Sequence, residues 1–128
     1  MANLEEVIYG YLTADTSFSS NFTGIYWLEA DAQVEPYLVF WLVDDNGNKA
    51  IIGTEEQGEA RIQFSLWDDN KFRGADLRKT MRQKVEGLNE TRDGYTLTCQ
   101  GINEQSLQRL SESDPYHFVV DGIIQWRS

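Results

Sequence analysis

The pattern of apolar positions predicts two amphipathic helices. In residues 3–14 apolar side chains recur every three or four residues, and Asn3 with Glu6 three positions later forms a capping-box pattern at the start. A second helix is predicted to begin at Asp69 or Asn70 as N-cap and to run to about residue 88. Its apolar stripe consists of Gly74, Leu77, Met81, Val85 and Leu88. Residues 13–23 are rich in Ser, Thr, Asn and Asp, which predicts a loop.

Strands are predicted where polar and apolar residues alternate, or where short apolar runs lie between turn residues. These segments are 24–28, 37–43, 49–53, 61–67, 95–100 and 116–126. The strand 37–43 is apolar at odd-numbered and even-numbered positions alike, so we expect it to be covered on both faces and central in the sheet. Trp41 lies in its middle, and we expect truncation to Ala to cost about 3–5 kcal/mol.

Alternation within the later strands also predicts which residues face the core. The core-facing residues are Ile62, Phe64, Leu66, Tyr116, Phe118, Val120, Ile124 and Trp126. Gly122 interrupts this pattern and predicts a bulge. Residues 103–112 fit a strand or a helical turn, and the alternating polar residues on both sides favour a strand.

Turn residues separate these strands. Residues 44–48 contain the pair Asn46-Gly47, which favours a tight hairpin turn. The segment Glu55–Glu59 has three carboxylates and no apolar anchor, which predicts an exposed, flexible connection. Residues 89–94 predict another turn.

The order of elements is helix, strands, helix, strands. This order predicts a single α+β domain over residues 1–128, with a mainly antiparallel β-sheet and two α-helices packed on one face. The sequence begins without a basic segment followed by an apolar run, and Cys99 is the single cysteine. We therefore expect a cytoplasmic protein with no internal disulfide and no membrane span.

Charge is distributed unevenly along the chain. Residues 1–69 hold 13 acidic and 2 basic side chains, whereas residues 70–128 hold 8 acidic and 9 basic ones. Such a chain is suited to associating with copies of itself or with partners, and its net charge of −10 opposes binding to nucleic acid. The candidate interface residues are Lys71, Arg73, Arg78 and Arg82 on the second helix, and Asp44, Asp45, Glu55, Glu56 and Glu59 on the acidic side. The alternative interpretation of the basic residues is a solvated outer helix face.

The search for catalytic chemistry yields little. His117 is the single histidine and is expected on the solvent side of its strand, and Cys99 alternates as a buried strand residue would. One His and one Cys cannot assemble a zinc site of the usual ligand types, and no phosphate-binding glycine loop is present. The adjacent carboxylates, such as those at 44–45 and 68–69, are interpreted as solvated charge. We therefore expect no enzyme activity, no cofactor and no metal.

Several segments together resemble a known family. These are the N-terminal amphipathic helix, Glu35–Val39 entering a strand, Arg61–Trp67 followed directly by a helix, and the closing aromatic strand Tyr116–Val120. In this order they resemble the tail-completion proteins of long-tailed bacteriophages, also called tail terminators or head–tail joining proteins. The resemblance covers nearly the whole chain and rests on element order, since no diagnostic motif carries it.

The resemblance implies a structural virion protein located in the tail or neck, and in the host cytoplasm during assembly. Such a protein caps the head-proximal end of the tail tube as a ring, commonly a hexamer, and offers a docking surface to the head connector. Its expected partners are copies of itself, the tail-tube protein and the head-connector protein, and DNA passes through the ring without specific binding. The resemblance implies no catalytic residues.

Two other functions compete with this one. A small-ligand-binding α+β domain would place a pocket between sheet and helices, lined by Tyr26, Trp27, Trp41 and Trp67. The other is a different phage neck or minor capsid joining protein on a similar fold, which composition does not distinguish from a tail terminator.

Overall fold

One six-stranded mixed sheet and three helices form the described part of the chain. The computed structural model describes residues 3–46, 57–108, 111 and 113–128. The elements are α1 (Leu4–Ala14), α2 (Thr16–Ser19), β1 (Gly24–Trp27), β2 (Tyr37–Asn46), β3 (Gln57–Asp68), α3 (Lys71–Glu86), β4 (Asn89–Arg92), β5 (Tyr95–Gln108) and β6 (Tyr116–Arg127). The strand order is β1-β2-β3-β6-β5-β4; β1 pairs parallel with β2, and the other pairs are antiparallel. The predicted α+β class is confirmed.

α1 begins where the sequence predicts. The side chain of Asn3 accepts a hydrogen bond from the backbone N–H of Glu6 at 2.9 Å, which caps the first turn. The buried residues of α1 are Leu4, Val7, Ile8 and Leu12. The hydroxyl of Tyr11 donates to the backbone oxygen of Lys84 in α3 at 2.7 Å, so the two long helices are joined directly.

The loop predicted over residues 13–23 is wrong in one part, because it contains the short helix α2. Asp15 caps this single turn by accepting from the backbone N–H of Ser17 at 3.1 Å. Phe18 is buried and its ring packs against that of Phe22, with centroids 5.2 Å apart. Ser, Thr and Asp favour caps as well as turns, so a one-turn helix with one apolar anchor gives no periodic signal.

α3 confirms the second predicted helix. Asn70 is the N-cap and accepts from the backbone N–H groups of Phe72 and Arg73 at 3.0 and 3.1 Å. The predicted stripe is buried at Gly74, Leu77, Met81 and Val85, and Leu88 beyond the helix end is buried too. Gly74 allows close contact with the sheet, because a Cβ there would lie 2.4 Å from the Phe118 ring.

β2 and β3 extend further than predicted and form one long antiparallel pair. Asp44 and Asp45, predicted in a turn, lie in β2 opposite Arg61 and Ala60. Glu59, predicted in a flexible connection, pairs with Asn46 on one side and Gln125 on the other. These predictions fail because ladder hydrogen bonds from distant strands outweigh the local turn preference of acidic residues. The predicted strand 49–53, Glu55 and Glu56 lie outside the described residues.

The turn predicted over residues 89–94 is shorter than expected. β4 occupies Asn89–Arg92 and joins β5 through a two-residue turn at Asp93 and Gly94, whose φ angles are 52° and 86°. Positive φ at both central residues is typical of the type I′ hairpin turn, for which Asp-Gly is a preferred pair. β5 runs on to Gln108, which confirms the strand interpretation of the first part of 103–112.

The core lies between the sheet and the helices, which pack on one face, here called the helix face. Its largest fully buried side chains are Phe40, Phe64, Phe118, Ile8, Leu12, Leu38, Ile62, Leu66, Met81, Leu97, Ile124 and Val7. The core-facing alternation predicted for β3 and β6 is confirmed. The bulge predicted at Gly122 is wrong, since β6 keeps a regular register there with Ile62 of β3. A Cβ at Gly122 would lie 2.8 Å from Cγ1 of Val85, so the glycine serves close helix–sheet packing.

The position predicted for the strand 37–43 needs correction. β2 is second from the sheet edge, and β3 and β6 are central. Trp41 is half-buried on the face opposite the helices and lies outside the core cluster, whereas its neighbour Phe40 is fully buried within it. The predicted burial of both faces of this strand is confirmed at its start, where Tyr37 and Val39 on the face opposite the helices are buried. It is wrong at Val43, which is 42% exposed.

Candidate functional site

The sheet face opposite the helices, here called the open face, carries a row of three stacked rings. Tyr37, Trp67 and His117 are direct cross-strand neighbours on β2, β3 and β6. The Tyr37 and Trp67 centroids lie 5.2 Å apart at 16°, and those of Trp67 and His117 lie 4.3 Å apart at 4°. His117 is therefore half-buried rather than on the solvent side as predicted, because two strands distant in sequence bring aromatic rings beside it. Burial lowers the pKa of His117.

A buried carboxylate lies further along the open face. Asp121 of β6 is 2% exposed, and its Oδ2 accepts from the guanidinium of Arg61 at 3.2 Å. Oδ1 of Asp121 and Nε2 of His117 are buried and have no hydrogen-bond partner among the described residues. Arg61 is half-exposed, so the pair reaches from the buried carboxylate to the surface of the open face, where Gln63 lies directly opposite Asp121.

The predicted basic residues of α3 lie on two flanks of the helix. At 100° per residue, Lys71, Arg78 and Arg82 share one flank of the buried stripe, while Arg73 projects from the other. Arg82 forms ion pairs with Glu86 at 3.2 Å and Glu104 at 3.4 Å. The guanidinium of Arg78 lies 5.5 Å from the centroid of the Phe118 ring. Lys71 and Arg78 form no ion pair among the described residues; each lies over an aromatic ring, Lys71 over the exposed Phe72 and Arg78 over the buried Phe118.

Arg73 is engaged in a local cluster at the start of α3. Its Nη2 and Nε donate to Asp68 at 2.6 and 2.9 Å, and Nη2 also donates to Asp69 at 2.8 Å. Asp68 has no solvent exposure, so the interpretation of this carboxylate as solvated charge was wrong. Burial acts to raise the pKa of Asp68, but the hydrogen bonds from Arg73 and from the backbone N–H of Asn70 outweigh it and hold the pKa below its usual value.

Three of the predicted acidic residues, Asp44, Asp45 and Glu59, are described by the structure, and they lie at the other end of the sheet. Asp44 and Glu59 are exposed on the open face near the start of β3, and Asp45 on the helix face accepts from Nε1 of Trp126 at 3.2 Å. Glu59 and Asp68 are nine positions apart on β3, which corresponds to about 30 Å along an extended strand. The acidic residues and the start of α3 therefore occupy opposite ends of the molecule.

Phe72 is the most exposed large apolar side chain described, at 78%. It lies in the first turn of α3 beside Lys71, whose Nζ is 5.4 Å from its ring centroid. The caps at Asn70 and the Arg73–Asp68 pair fix the backbone on both sides of it. Sequence reasoning missed Phe72, although an apolar residue outside the buried stripe of an amphipathic helix was a visible signal.

A second apolar surface lies where α1 meets the edge strand β1. Tyr9 and Trp27 are 45% and 40% exposed and, with Glu6, line an open depression of about 370 Å³. Leu28 follows Trp27 with a φ of 71° and is 62% exposed. We call the surface lined by Glu6, Tyr9 and Trp27 the α1–β1 depression. Sequence reasoning could not find it, because α1 and β1 come together only in the folded chain.

The pocket predicted for a small ligand is not formed by its four aromatic residues. Trp27 pairs with Phe40 and so lies on the helix face, whereas Trp41 and Trp67 lie on the open face. Tyr26 folds back over Gly24 on the open face. Aromatic residues on opposite faces of one sheet cannot line a common cavity.

No group of three or more His, Cys, Asp or Glu among the described residues is placed to hold a metal ion. None of the described helices combines the length and apolarity required to cross a membrane.

Comparisons with known proteins define the fold class further. No family model matches the sequence, and no curated protein matches it. Among solved structures, the fold is similar to that of a chain in the virion of a native gene transfer agent particle, with a TM-score of 0.60. The similarity covers 97% of this chain and 92% of that chain at 15% sequence identity. The two chains therefore share one architecture over nearly their full lengths.

Proposed function

We propose that this protein is a structural component of a virion. The observation that carries the proposal is the fold similarity to a chain of a gene transfer agent virion, which extends over 97% of this chain. The similarity extends over nearly the whole of both chains. Such a similarity supports a shared role better than a similarity limited to a local motif does. The open face and the exposed apolar residues add surfaces suited to protein contacts.

Within the virion, the proposed role is that of a tail terminator at the head-proximal end of the tail tube. The order of helices and strands resembles that family, and the distribution of surface features suits a ring. A ring requires two different patches on each subunit, which meet head to tail. The start of α3, where Lys71 forms no ion pair among the described residues, lies about 30 Å along β3 from the exposed carboxylates of Asp44 and Glu59, so the two ends of this strand present different surfaces.

The proposed partners follow from this role. Copies of this chain form the ring, commonly a hexamer, between the tail-tube protein on one side and the head-connector protein on the other. The net charge of −10 favours a channel through which DNA slides, because like charge disfavours contacts with phosphates. The function requires no catalysis, so we propose no enzyme activity and no cofactor.

The experiment that tests the proposal uses the purified chain and the tail-tube protein of the same phage. Light scattering over a range of protein concentrations and electron microscopy should reveal rings at high concentration, and labelled protein should bind at tube ends and stop their growth. Labelled antibodies should mark the head-proximal end of the tail in intact virions. Labelling at the portal without tube binding would instead favour another neck protein, and labelling nowhere on the virion would contradict the proposal.

A further inference from the structure

We propose that Phe72 of one copy inserts into the α1–β1 depression of the next copy, and that this is the central contact of the ring. The inference rests on the proposed ring and names its contact residues. Phe72 is 78% exposed, and the aromatic residues Tyr9 and Trp27 of the depression are 45% and 40% exposed. Phe72 and the depression do not contact each other within one copy.

Phe72 is presented in a fixed position. Its backbone N–H donates to Asn70, and the next residue, Arg73, is held by three hydrogen bonds to Asp68. The ring therefore projects from a backbone that is already ordered before any partner binds. Binding therefore has to order only the two side-chain torsions of Phe72 and no backbone, which keeps the entropy cost of the contact low.

The α1–β1 depression offers the complementary chemistry. It is an open depression of about 370 Å³, and Tyr9 and Trp27 provide aromatic walls against which a ring can pack. Glu6 at its rim supplies a carboxylate, and Lys71, adjacent to Phe72, supplies the matching ammonium group. Lys71 forms no ion pair among the described residues, so it is available to Glu6 of a neighbour or to the aromatic faces.

The positions of the two features fit a head-to-tail contact. Phe72 follows the end of β3 in the centre of the sheet, while Trp27 ends β1 at the sheet edge, two strands away. When subunits join through two different patches, each growing row of subunits has one unoccupied patch of each kind at its two ends. Growth stops only when these two patches meet and the ring closes. The same contact therefore serves every interface of the ring.

The test compares two variants that each remove one side of the contact. Phe72→Asp removes the inserted ring, and Asp in the first turn of a helix is favourable, so the fold is retained. Trp27→Ala removes a wall of the depression. Each variant should raise the concentration needed for ring formation about 30-fold or more, as the loss of a central aromatic anchor does. Val34→Asp is the matched control, since Val34 is 58% exposed and belongs to neither patch.

Mixing the two variants gives a sharper result. A Trp27→Ala copy still carries Phe72, and a Phe72→Asp copy still carries an intact depression, so one contact can form between them. Light scattering of the mixture should show a one-to-one complex and nothing larger. A charge exchange offers a second route: Lys71→Glu alone should weaken assembly, and adding Glu6→Lys should restore it.

The outcomes distinguish this inference from the proposed function. If the parent forms rings and both variants form them at the same concentration, the contact is wrong and the proposed function stands. If the mixture grows beyond two copies, or the charge exchange fails to restore assembly, the inference is likewise overturned. If the parent forms no rings even on tube ends, the proposed ring itself fails, and circular dichroism of each variant establishes whether the fold was retained.

Discussion

Replacing Arg73 by Met should destabilise the fold by about 3 kcal/mol. The substitution keeps most of the side-chain volume and removes the guanidinium that donates three hydrogen bonds to Asp68. Asp68 has no solvent exposure, so its charge would remain buried without a partner of opposite sign. Removing one partner of a buried pair costs about 3–5 kcal/mol, and the lower end applies because Arg73 is 46% exposed.

The loss should be large against the total stability. Domains of this size are stable by about 5–15 kcal/mol, so about 3 kcal/mol corresponds to a fall in Tm of about 10 °C. Arg82→Met is the matched control on the same helix, because its partners Glu86 and Glu104 lie at the surface. Exposed pairs contribute less than about 1 kcal/mol.

The pH dependence gives an independent check of the mechanism. The pKa of Asp68 is held below its usual value, so its ionised form stabilises the fold above the unfolded pKa of about 3.9. This contribution disappears as the pH falls through the folded pKa. The difference between parent and Arg73→Met should therefore narrow as the pH is lowered from 7 towards 3.

Urea unfolding followed by tryptophan fluorescence measures these differences. The double variant Asp68→Asn with Arg73→Met should recover part of the stability lost in Arg73→Met, since the buried charge is gone. The reasoning would be refuted if Arg73→Met lost no more stability than Arg82→Met, or if its deficit were the same at pH 7 and near pH 3.

Three further predictions concern packing and titration. Phe40→Ala should cost about 3–5 kcal/mol in urea unfolding, and Trp41→Ala less, because Phe40 is fully buried and Trp41 is half-buried. Burial lowers the pKa of His117, so protonation favours the unfolded chain; thermal stability should fall as the pH drops through about 6.5, and His117→Gln should flatten this dependence. Gly122→Ala should cost about 1–3 kcal/mol in thermal unfolding, because its Cβ would lie 2.8 Å from Val85.

Each of these has a contrary outcome. Equal losses for the alanine variants at 40 and 41 would mean that the open face is packed as tightly as the core. A parent whose stability stays constant between pH 7.5 and 5.5 would contradict the burial of His117. If Gly122→Ala were more stable than the parent, α3 would be able to move away from β6 without a loss of stability.

Local patterns predicted the elements that local forces determine. The stripe of α3 and the cap at Asn70 were visible, because helix spacing and capping involve residues within a few positions of one another. The strand position of Asp44 was not visible, because its pairing with Arg61 depends on a second segment. α2 was missed because a single turn has no period.

The candidate surfaces also differ in whether they could be predicted from a single segment of the sequence. Phe72 stands out from sequence alone as an apolar residue off the helix stripe, although its meaning depends on the caps that fix it. The ring stack of Tyr37, Trp67 and His117 joins three strands, and the α1–β1 depression joins a helix and an edge strand. No pattern within one segment indicates contacts of this kind. The sequence named Asp44, Glu59 and Lys71 as candidates for an interface, but the position of Asp44 beside the start of β3 and far from Lys71 depended on the pairing of β2 with β3.

The pairing of β3 with β6 has a consequence for biosynthesis. β3 lies at the centre of the sheet, yet its partner β6 is translated after α3, β4 and β5 have emerged. Until then the apolar residues Ile62, Phe64 and Leu66 lie in a strand with one unpaired edge, and such edges promote aggregation. Pairing over a long sequence separation also slows folding. A chain that ends before β6 should therefore aggregate rather than fold.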